Sequence, residues 1–254
     1  MLRVRNEEEI IQSSILSIID FVDEVVVIDN ASCDTTEEKI QELHRMYPNK
    51  IRLVRYPFTV STYGSEFQNT PEHSVHSVAY FYNWCLSKCR YTSIIKWDAD
   101  MIVPEEYRER WRDIRNTAIS FARCVVNLAG RLVIRDSEGV FRDSIHEAQE
   151  PRIFPNCPDV FFGKQNNFPT ELLLFRGSSL SHAVRMSLLK RVSFWEKPVY
   201  YEIKDVNKDE FQHFNKAERM PSKQKIEYKY CEKVRQQPDL FPKVQADRFL
   251  SLIA

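Results

Sequence analysis

Short apolar runs alternate with longer stretches whose apolar residues recur every three or four positions through the first hundred residues. Met1–Arg5 (MLRVR) reads as a strand. Asn6, with Glu7, Glu8 and Glu9 behind it, reads as a helix cap with an acidic first turn. Ile11, Ile15, Ile18 and Val22 then follow at helical spacing. Val25–Ile28 is a continuous β-branched run, too short for a helix, and predicts a strand buried on both faces. Asp34-Thr35-Thr36-Glu37 has the form of a capping box, with Ile40, Leu43 and Tyr47 on the apolar face of the next helix. Ile51–Tyr56 predicts a third strand. Thr70-Pro71 opens a helix striped by Val75, Val78, Ala79, Tyr82, Leu86 and Cys89. Ser93–Trp97 predicts a fourth strand running into Asp98-Ala99-Asp100, and Pro104 starts a helix carrying Tyr107, Trp111 and Ile114. Strand and helix in strict alternation predict a parallel, doubly wound sheet.

The rhythm then changes. Ala118–Asn127 and Arg131–Ile134 read as strands, Asp136–Gly139 as a turn between paired segments, and Leu172–Phe175 and Ser178–Ala183 continue in that style. Beyond Trp195 the chain is charged, with irregular helical stretches and several prolines. The expected organisation is a main domain over 1–195, made of a nucleotide-binding half (1–103) and an acceptor half (104–195). A C-terminal extension over 196–254 follows. The opening strand has nothing ahead of it, which reads as one domain cut from a longer protein.

Composition narrows the function classes. The chain has 254 residues, enough for one large domain with an appendage. Its 36 basic and 36 acidic residues are interleaved, so nucleic acid is not expected as the main partner, since phosphate neutralisation needs a basic excess. With five glycines there is no glycine-rich phosphate cradle. The six cysteines are scattered and read as reduced thiols of a cytoplasmic protein. Cys85 and Cys89 could be half of a zinc site, but no second ligand pair stands at zinc-finger spacing, and a buried helix face is the simpler reading. No secretory signal and no run of 18 apolar residues is present, so no transmembrane segment is expected. Peripheral contact with the cytoplasmic face of a membrane is left open.

In an open parallel sheet, ligands bind at the carboxyl ends of the strands. Asp29, Asp34 and the pair Asp98-x-Asp100 fall at such ends. Two carboxylates two residues apart at the lip of a sheet can hold a divalent cation, which would neutralise a diphosphate leaving group. The plainer alternative is that Asp98 and Asp100 end a strand and cap the helix near Pro104. The polar, irregular stretch Pro57–Asn69 is a candidate active-site loop.

Three ordered segments carry a resemblance. Arg5-Asn6-Glu7-Glu8, the run Val25 to Thr35 with Asp29-Asn30-Ala31-Ser32-Cys33-Asp34, and Lys96-Trp97-Asp98-Ala99-Asp100 resemble the RNEE, VVDNGSTDGT and DAD motifs of family-2-like glycosyltransferases. Asn83, in the helix before the fourth strand, matches the pattern too. One departure is Cys33-Asp34-Thr35-Thr36, where that family often has a glycine before the last threonine. The match is good over the first half and loose over the second.

The resemblance implies an α/β fold of the GT-A type. Its parts would be a doubly wound, mostly parallel sheet, a small β-rich second half and a C-terminal helical extension. It implies transfer of a sugar from a nucleotide-diphosphate sugar, UDP by default, to a hydroxyl of a glycan or glycolipid acceptor, with Mn²⁺ or Mg²⁺ as cofactor. Asp29 would bind the base, with Arg3, Arg5 and Asn83 in the nucleotide pocket. Asp98 would contact ribose or metal, and Asp100 would ligate the metal. His182, in a segment similar to the HYRYMS of some relatives, would be a further metal or diphosphate ligand, with Arg185 on the diphosphate. Arg152, in an element like their RLF, would shape the donor or acceptor site. An inverting transfer needs a carboxylate base. Glu171, placed like the glutamate of a VHE element, is preferred, with Glu150 next. Two other readings are a metal-dependent nucleotidyltransferase, which would release pyrophosphate, and an inactive glycan-binding module of the same fold.

Overall fold

The computed structural model describes residues 1–61, 65–120, 124–164, 171–175, 190–194, 196–206 and 222–245, with 190 and 222–226 described by backbone alone. The architecture is mixed α/β, with one parallel sheet and further sheets. Strands β1 (Leu2–Val4), β2 (Val25–Asp29) and β3 (Ile51–Arg55) are followed in the chain by β4 (Ser93–Ile95) and β5 (Trp97–Asp98). The first sheet has the order β3-β2-β1-β5 and every pairing in it is parallel.

All five residues of β2 are buried, as a central strand covered on both faces requires. Val25 and Val27 join Leu2 and Val4 in a core with Ile11, Ile15 and Ile18 of α1 (Ile11–Ile18) and Ile40 and Leu43 of α2 (Thr36–Met46). Val26 and Ile28 face the other way, and pack with Val78, Phe81 and Cys85 of α4 (Val78–Lys88), which follows the short α3 (Ser65–Asn69). Helices thus cover both faces. Burial holds the Cys85 thiol up at about 12. Cys85 is a core residue, packed with Val26, Ile28 and Phe81.

The second sheet is built around a long antiparallel hairpin, β7 (Cys124–Arg135) with β8 (Phe141–Pro155), preceded by β6 (Met101–Ile102) and the helix α5 (Arg108–Ser120). Its turn is closed by the Asp136 carbonyl accepting from Gly139, whose φ of +81° suits a residue without a side chain. Strands β9 (Val160–Gly163) and β10 (Leu172–Phe175) form a separate pair. Next along the chain come β11 (Lys190–Phe194) and β12 (Tyr200–Asp205), both parallel to β7 and following one another along its free edge. The order is β4-β8-β7-β12-β6, with β11 beside β7. Helix α6 (Ser222–Gln236) packs Cys231 and Val234 against Leu132 and Ile134. No helix of the described residues is long and apolar enough to cross a membrane.

Several expected elements differ. Asn6 does not cap α1: it lies in the left-handed region (φ 55°), and α1 starts at Ile11 without a side-chain cap. The expected capping box also fails at α2. Asp34 does accept from the Thr36 amide, at 3.0 Å, but Glu37 pairs with Arg55 instead of reaching back. The helix expected from Thr70 begins at Val78, and the irregular loop before it contains the helical turn Ser65–Asn69. Ala118–Ser120 belongs to α5, and Cys124–Arg135 is one strand where two segments were expected. Within the stretch that reads as an extension, Tyr200–Asp205 is a strand inside the second sheet, between β7 and β6. Ser178–Ala183 lies outside the described residues.

The single apolar run Ser93–Trp97 is in fact two strands in two sheets. Ser93–Ile95 pairs antiparallel with Ile153–Pro155 of β8, whereas Trp97–Asp98 pairs parallel with Leu2–Arg3 of β1. Lys96 sits at the hand-over, its amide donating to the Arg152 carbonyl at 2.7 Å. This crossing point positions the candidate site.

Candidate active site

At the carboxyl end of β2 the chain turns through Asp29 to Asp34 and meets the loop that leaves β1. The two loops are knitted by side chain to backbone contacts. The Asn6 amide donates to the Ser32 hydroxyl, and the Asn6 carboxamide oxygen accepts from the Cys33 amide, both at 2.9 Å. The Glu7 amide donates to the Thr36 hydroxyl at 2.8 Å, and Glu8 accepts from both the amide and the hydroxyl of Thr35. Burial pushes the Asp34 carboxyl up, but hydrogen bonds from Thr36 and Glu8 outweigh it and hold the group below its ordinary value. Asn6 and Ala31 both take positive φ in this weave, so the motif residues here set loop shape.

Asp29 stands beneath these loops and is buried. Its Oδ2 accepts from the Ser32 amide at 3.3 Å, while its Oδ1 is buried with no hydrogen-bond partner among the described residues. A buried carboxylate oxygen without a donor is costly, and it marks a place where a ligand N–H would be favourable.

The second centre forms where the two sheets exchange the fourth strand. Register sets Arg3 of β1 opposite Asp98 of β5. Arg3 donates to Asp98 Oδ1, and Arg152 of β8 donates to Oδ2. Both guanidinium groups are buried, Arg152 completely, and Arg3 also lies 3.9 Å from the centre of the Tyr82 ring. Glu150 Oε2 lies 2.9 Å from Arg152, whose proton affinity is raised, against the effect of burial, by Tyr200, Glu150 and Glu202. Lys96 completes the cluster, with its ammonium 3.8 Å from Glu171 Oε1. Burial brings the Lys96 pKa down to about 8, partly opposed by Glu171. The other oxygen of Glu171, Oε2, is buried without a hydrogen-bond partner among the described residues.

Asp100 is held apart from Asp98. Its carbonyl accepts from the Ile203 amide at 2.8 Å, tying the acidic loop to β12. Its Oδ2 lies 2.6 Å from Lys204 Nζ, and the same ammonium stands 3.7 Å from Glu202 and 3.9 Å from Glu227. As arranged, the acidic pair does not suit a divalent cation. Asp98 has both oxygens on guanidinium groups, and Asp100 is occupied by an ammonium. Among the described residues no group of three His, Cys, Asp or Glu side chains is placed to hold a metal.

The structure therefore brings Arg3, Asp98, Glu150, Arg152 and Glu171 together, from four separate segments of chain. Asp29 lies one strand away on β2 and Asp100 on the far side of the acidic loop. Arg5 is exposed. The Asn83 carboxamide makes a two-way bridge with the Phe162 backbone, at 2.7 and 2.8 Å, and so braces α4 against β9. His182 and Arg185 lie outside the described residues. Sequence reasoning did not single out Lys96, Lys204, Glu202 or Glu227. The one available signal is the alternation in Tyr200-Tyr201-Glu202-Ile203-Lys204, which places Glu202 and Lys204 on one face of a strand.

Residues 2–61 match the family model described as Glycosyl transferase family 2. That span contains the first two of the three resembling motifs, and the third lies beyond it. A search of curated proteins gives no match. Among solved structures, S. aureus TarS 1-349 in complex with UDP-GlcNAc is 15% identical, with a TM-score of 0.46, covering 84% of this chain and 60% of that one. The mannosyltransferase PcManGT from Pyrobaculum calidifontis, in complex with GDP-Man and Mn²⁺, is 22% identical, with a TM-score of 0.34, covering 53% of this chain and 34% of that one. The chain thus spans less than two thirds of the solved chains it matches, and likenesses this distant say nothing about individual residues.

Proposed function

We propose that this chain is an inverting glycosyltransferase that uses a nucleotide-diphosphate sugar, UDP-linked by default, and a hydroxyl of a glycan or glycolipid as acceptor. The observation that carries the reading is Asp29. It is a buried carboxylate at the carboxyl end of a parallel strand, with one oxygen lacking a donor among the described residues. An imide or amino N–H of a nucleotide base would supply that donor. The family match over residues 2–61 supports the same placement.

In this reading the ribose lies toward Asp98, and Arg152 turns part of its charge toward the diphosphate, with Arg185 as a further contact. Glu171 Oε2 takes the proton of the acceptor hydroxyl. The acceptor oxygen bonds to the anomeric carbon from the face opposite the diphosphate. The bond from that carbon to the phosphoryl oxygen breaks, and the nucleoside diphosphate departs with the electron pair. Lys96, facing Oε1, leaves Oε2 as the basic atom. Glu150 is the less suitable base, because its carboxylate lies against buried Arg152. Mn²⁺ or Mg²⁺ was expected at Asp98, Asp100 and His182, but the contacts of the two aspartates give no reason to route a step through a metal.

The test is product identity from a panel of UDP-, GDP- and dTDP-sugars. Release of nucleoside diphosphate, with an anomerically inverted product on an acceptor, supports the reading. Pyrophosphate release would replace it with nucleotidyl transfer, and no turnover with retained glycan binding would leave a binding module.

A further inference from the structure

We propose that Lys204 is the resident cation at Asp100, standing where a divalent ion would otherwise be needed, so that donor binding and transfer proceed without metal. The inference rests on the glycosyltransferase reading above. Three carboxylates from three different elements converge on one ammonium: Asp100 from the acidic loop at 2.6 Å, Glu202 from β12 at 3.7 Å and Glu227 from α6 at 3.9 Å. All four side chains are largely withdrawn from water, with exposures between 6% and 14%.

Electrostatics explains why a cation is required here. A diphosphate approaching the acidic loop meets the charge of Asp100, and in a site shielded from water that repulsion is strong. A metal-dependent enzyme cancels it with an ion. Here the backbone sets an ammonium directly against Asp100. Met101–Ile102 pairs antiparallel with Tyr201–Glu202, and the Ile203 amide holds the Asp100 carbonyl. That register fixes Lys204 beside Asp100 as part of the sheet. A lysine ammonium is a compact point charge that can fill such a place, whereas Mg²⁺ and similar ions demand several oxygen ligands in near-octahedral array. For a metal to bind Asp100, Lys204 must first be displaced.

Removing the ammonium should therefore create a metal requirement. Asp100, Glu202 and Glu227 are not placed to hold a metal while the ammonium stands among them. In Lys204→Ala their carboxylates can close on the vacated position, and carboxylate oxygens suit Mn²⁺. The measurements are nucleoside-diphosphate affinity by calorimetry in EDTA and in Mn²⁺, and Mn²⁺ binding to the nucleotide-free protein by electron paramagnetic resonance. For the wild-type chain, affinity should be the same in EDTA and in Mn²⁺, and the free protein should not bind Mn²⁺. For Lys204→Ala, affinity in EDTA should fall by about tenfold or more, Mn²⁺ should restore it, and the free variant should bind Mn²⁺. Wild-type affinity that rises about tenfold on adding Mn²⁺, or a variant that neither loses affinity nor binds Mn²⁺, would overturn the proposal. If the wild-type chain binds no nucleoside diphosphate under either condition, the nucleotide reading fails. The resonance measurement still decides the role of Lys204, because it needs no nucleotide. Should Lys204→Ala not fold, Lys204→Gln removes the charge while keeping a polar side chain among the carboxylates, and serves the same comparison.

Discussion

Two kinds of carboxylate stand in and around the candidate site, and they differ in what is left over. Asp98 and Asp100 are saturated, the first by Arg3 and Arg152 and the second by Lys204. Asp29 and Glu171 each keep one buried oxygen without a donor among the described residues. The acidic pair is the more conspicuous in sequence, yet its charge is already spent inside the fold. The less conspicuous pair has the chemistry still available. A saturated carboxylate fixes architecture and local potential, whereas an unsatisfied one marks where a ligand or a proton is due.

The largest effect should come from the open oxygen of Glu171. Glu171→Gln should lower the transfer rate by about 10²- to 10⁴-fold with donor affinity unchanged, as for loss of a positioned base. Glu150→Gln should lower it less, and steady-state kinetics beside donor calorimetry checks both. A larger loss in Glu150→Gln would exchange the two roles. On the saturated side the loss should appear in stability. Asp98→Asn leaves buried Arg3 and Arg152 short of their counter-charge, and should cost about 3 kcal/mol in chemical denaturation, the low end for a broken buried pair because Asp98 is partly exposed. An Asp98→Asn protein of normal stability would show that the guanidinium groups are balanced elsewhere.

The smallest effect concerns Lys96. Its pKa in the fold is about 8, against an ordinary 10.5. Below about pH 8 both folded and unfolded states are protonated, and the cost of burying the charge is fully present. Between the two values the folded state has shed a proton that the unfolded state keeps, so this group makes stability rise with pH, and above 10.5 the cost is gone. Lys96→Met should lack that rise. Melting temperatures of the two proteins from pH 7 to 11 should therefore converge as pH increases, and parallel curves would contradict the placement of Lys96.

The first sheet was legible because its cause is local. Val25–Ile28 is a continuous apolar run, and a strand buried on both faces needs just that. Asp29 and Asp98 were legible for the same reason, since each follows such a run. The hand-over at Lys96 was not, because Ser93–Trp97 looks like one strand and nothing local marks a change of partner sheet. Lys204 was missed for a related reason. Tyr200–Asp205 lies in a charged stretch, and its place in the sheet depends on pairing with Gly130–Arg135 and Met101–Ile102, far away in sequence. At Asn6 and Thr70 the familiar start signals of helices were present, but tertiary contacts claimed those residues first: Asn6 holds Cys33, and the turns after Pro71 deliver Val75 to the Tyr56 hydroxyl.

The central claim is that a nucleotide is held at the carboxyl end of β2 by Asp29, and calorimetry of free UDP, GDP and dTDP against the wild-type chain and Asp29→Ala tests it most directly. One of the three should bind the wild-type chain, and Asp29→Ala should lose roughly 1.5–3 kcal/mol of that affinity, the value of a hydrogen bond to a charged group. Equal affinity in the two proteins would place the nucleotide elsewhere and contradict the account.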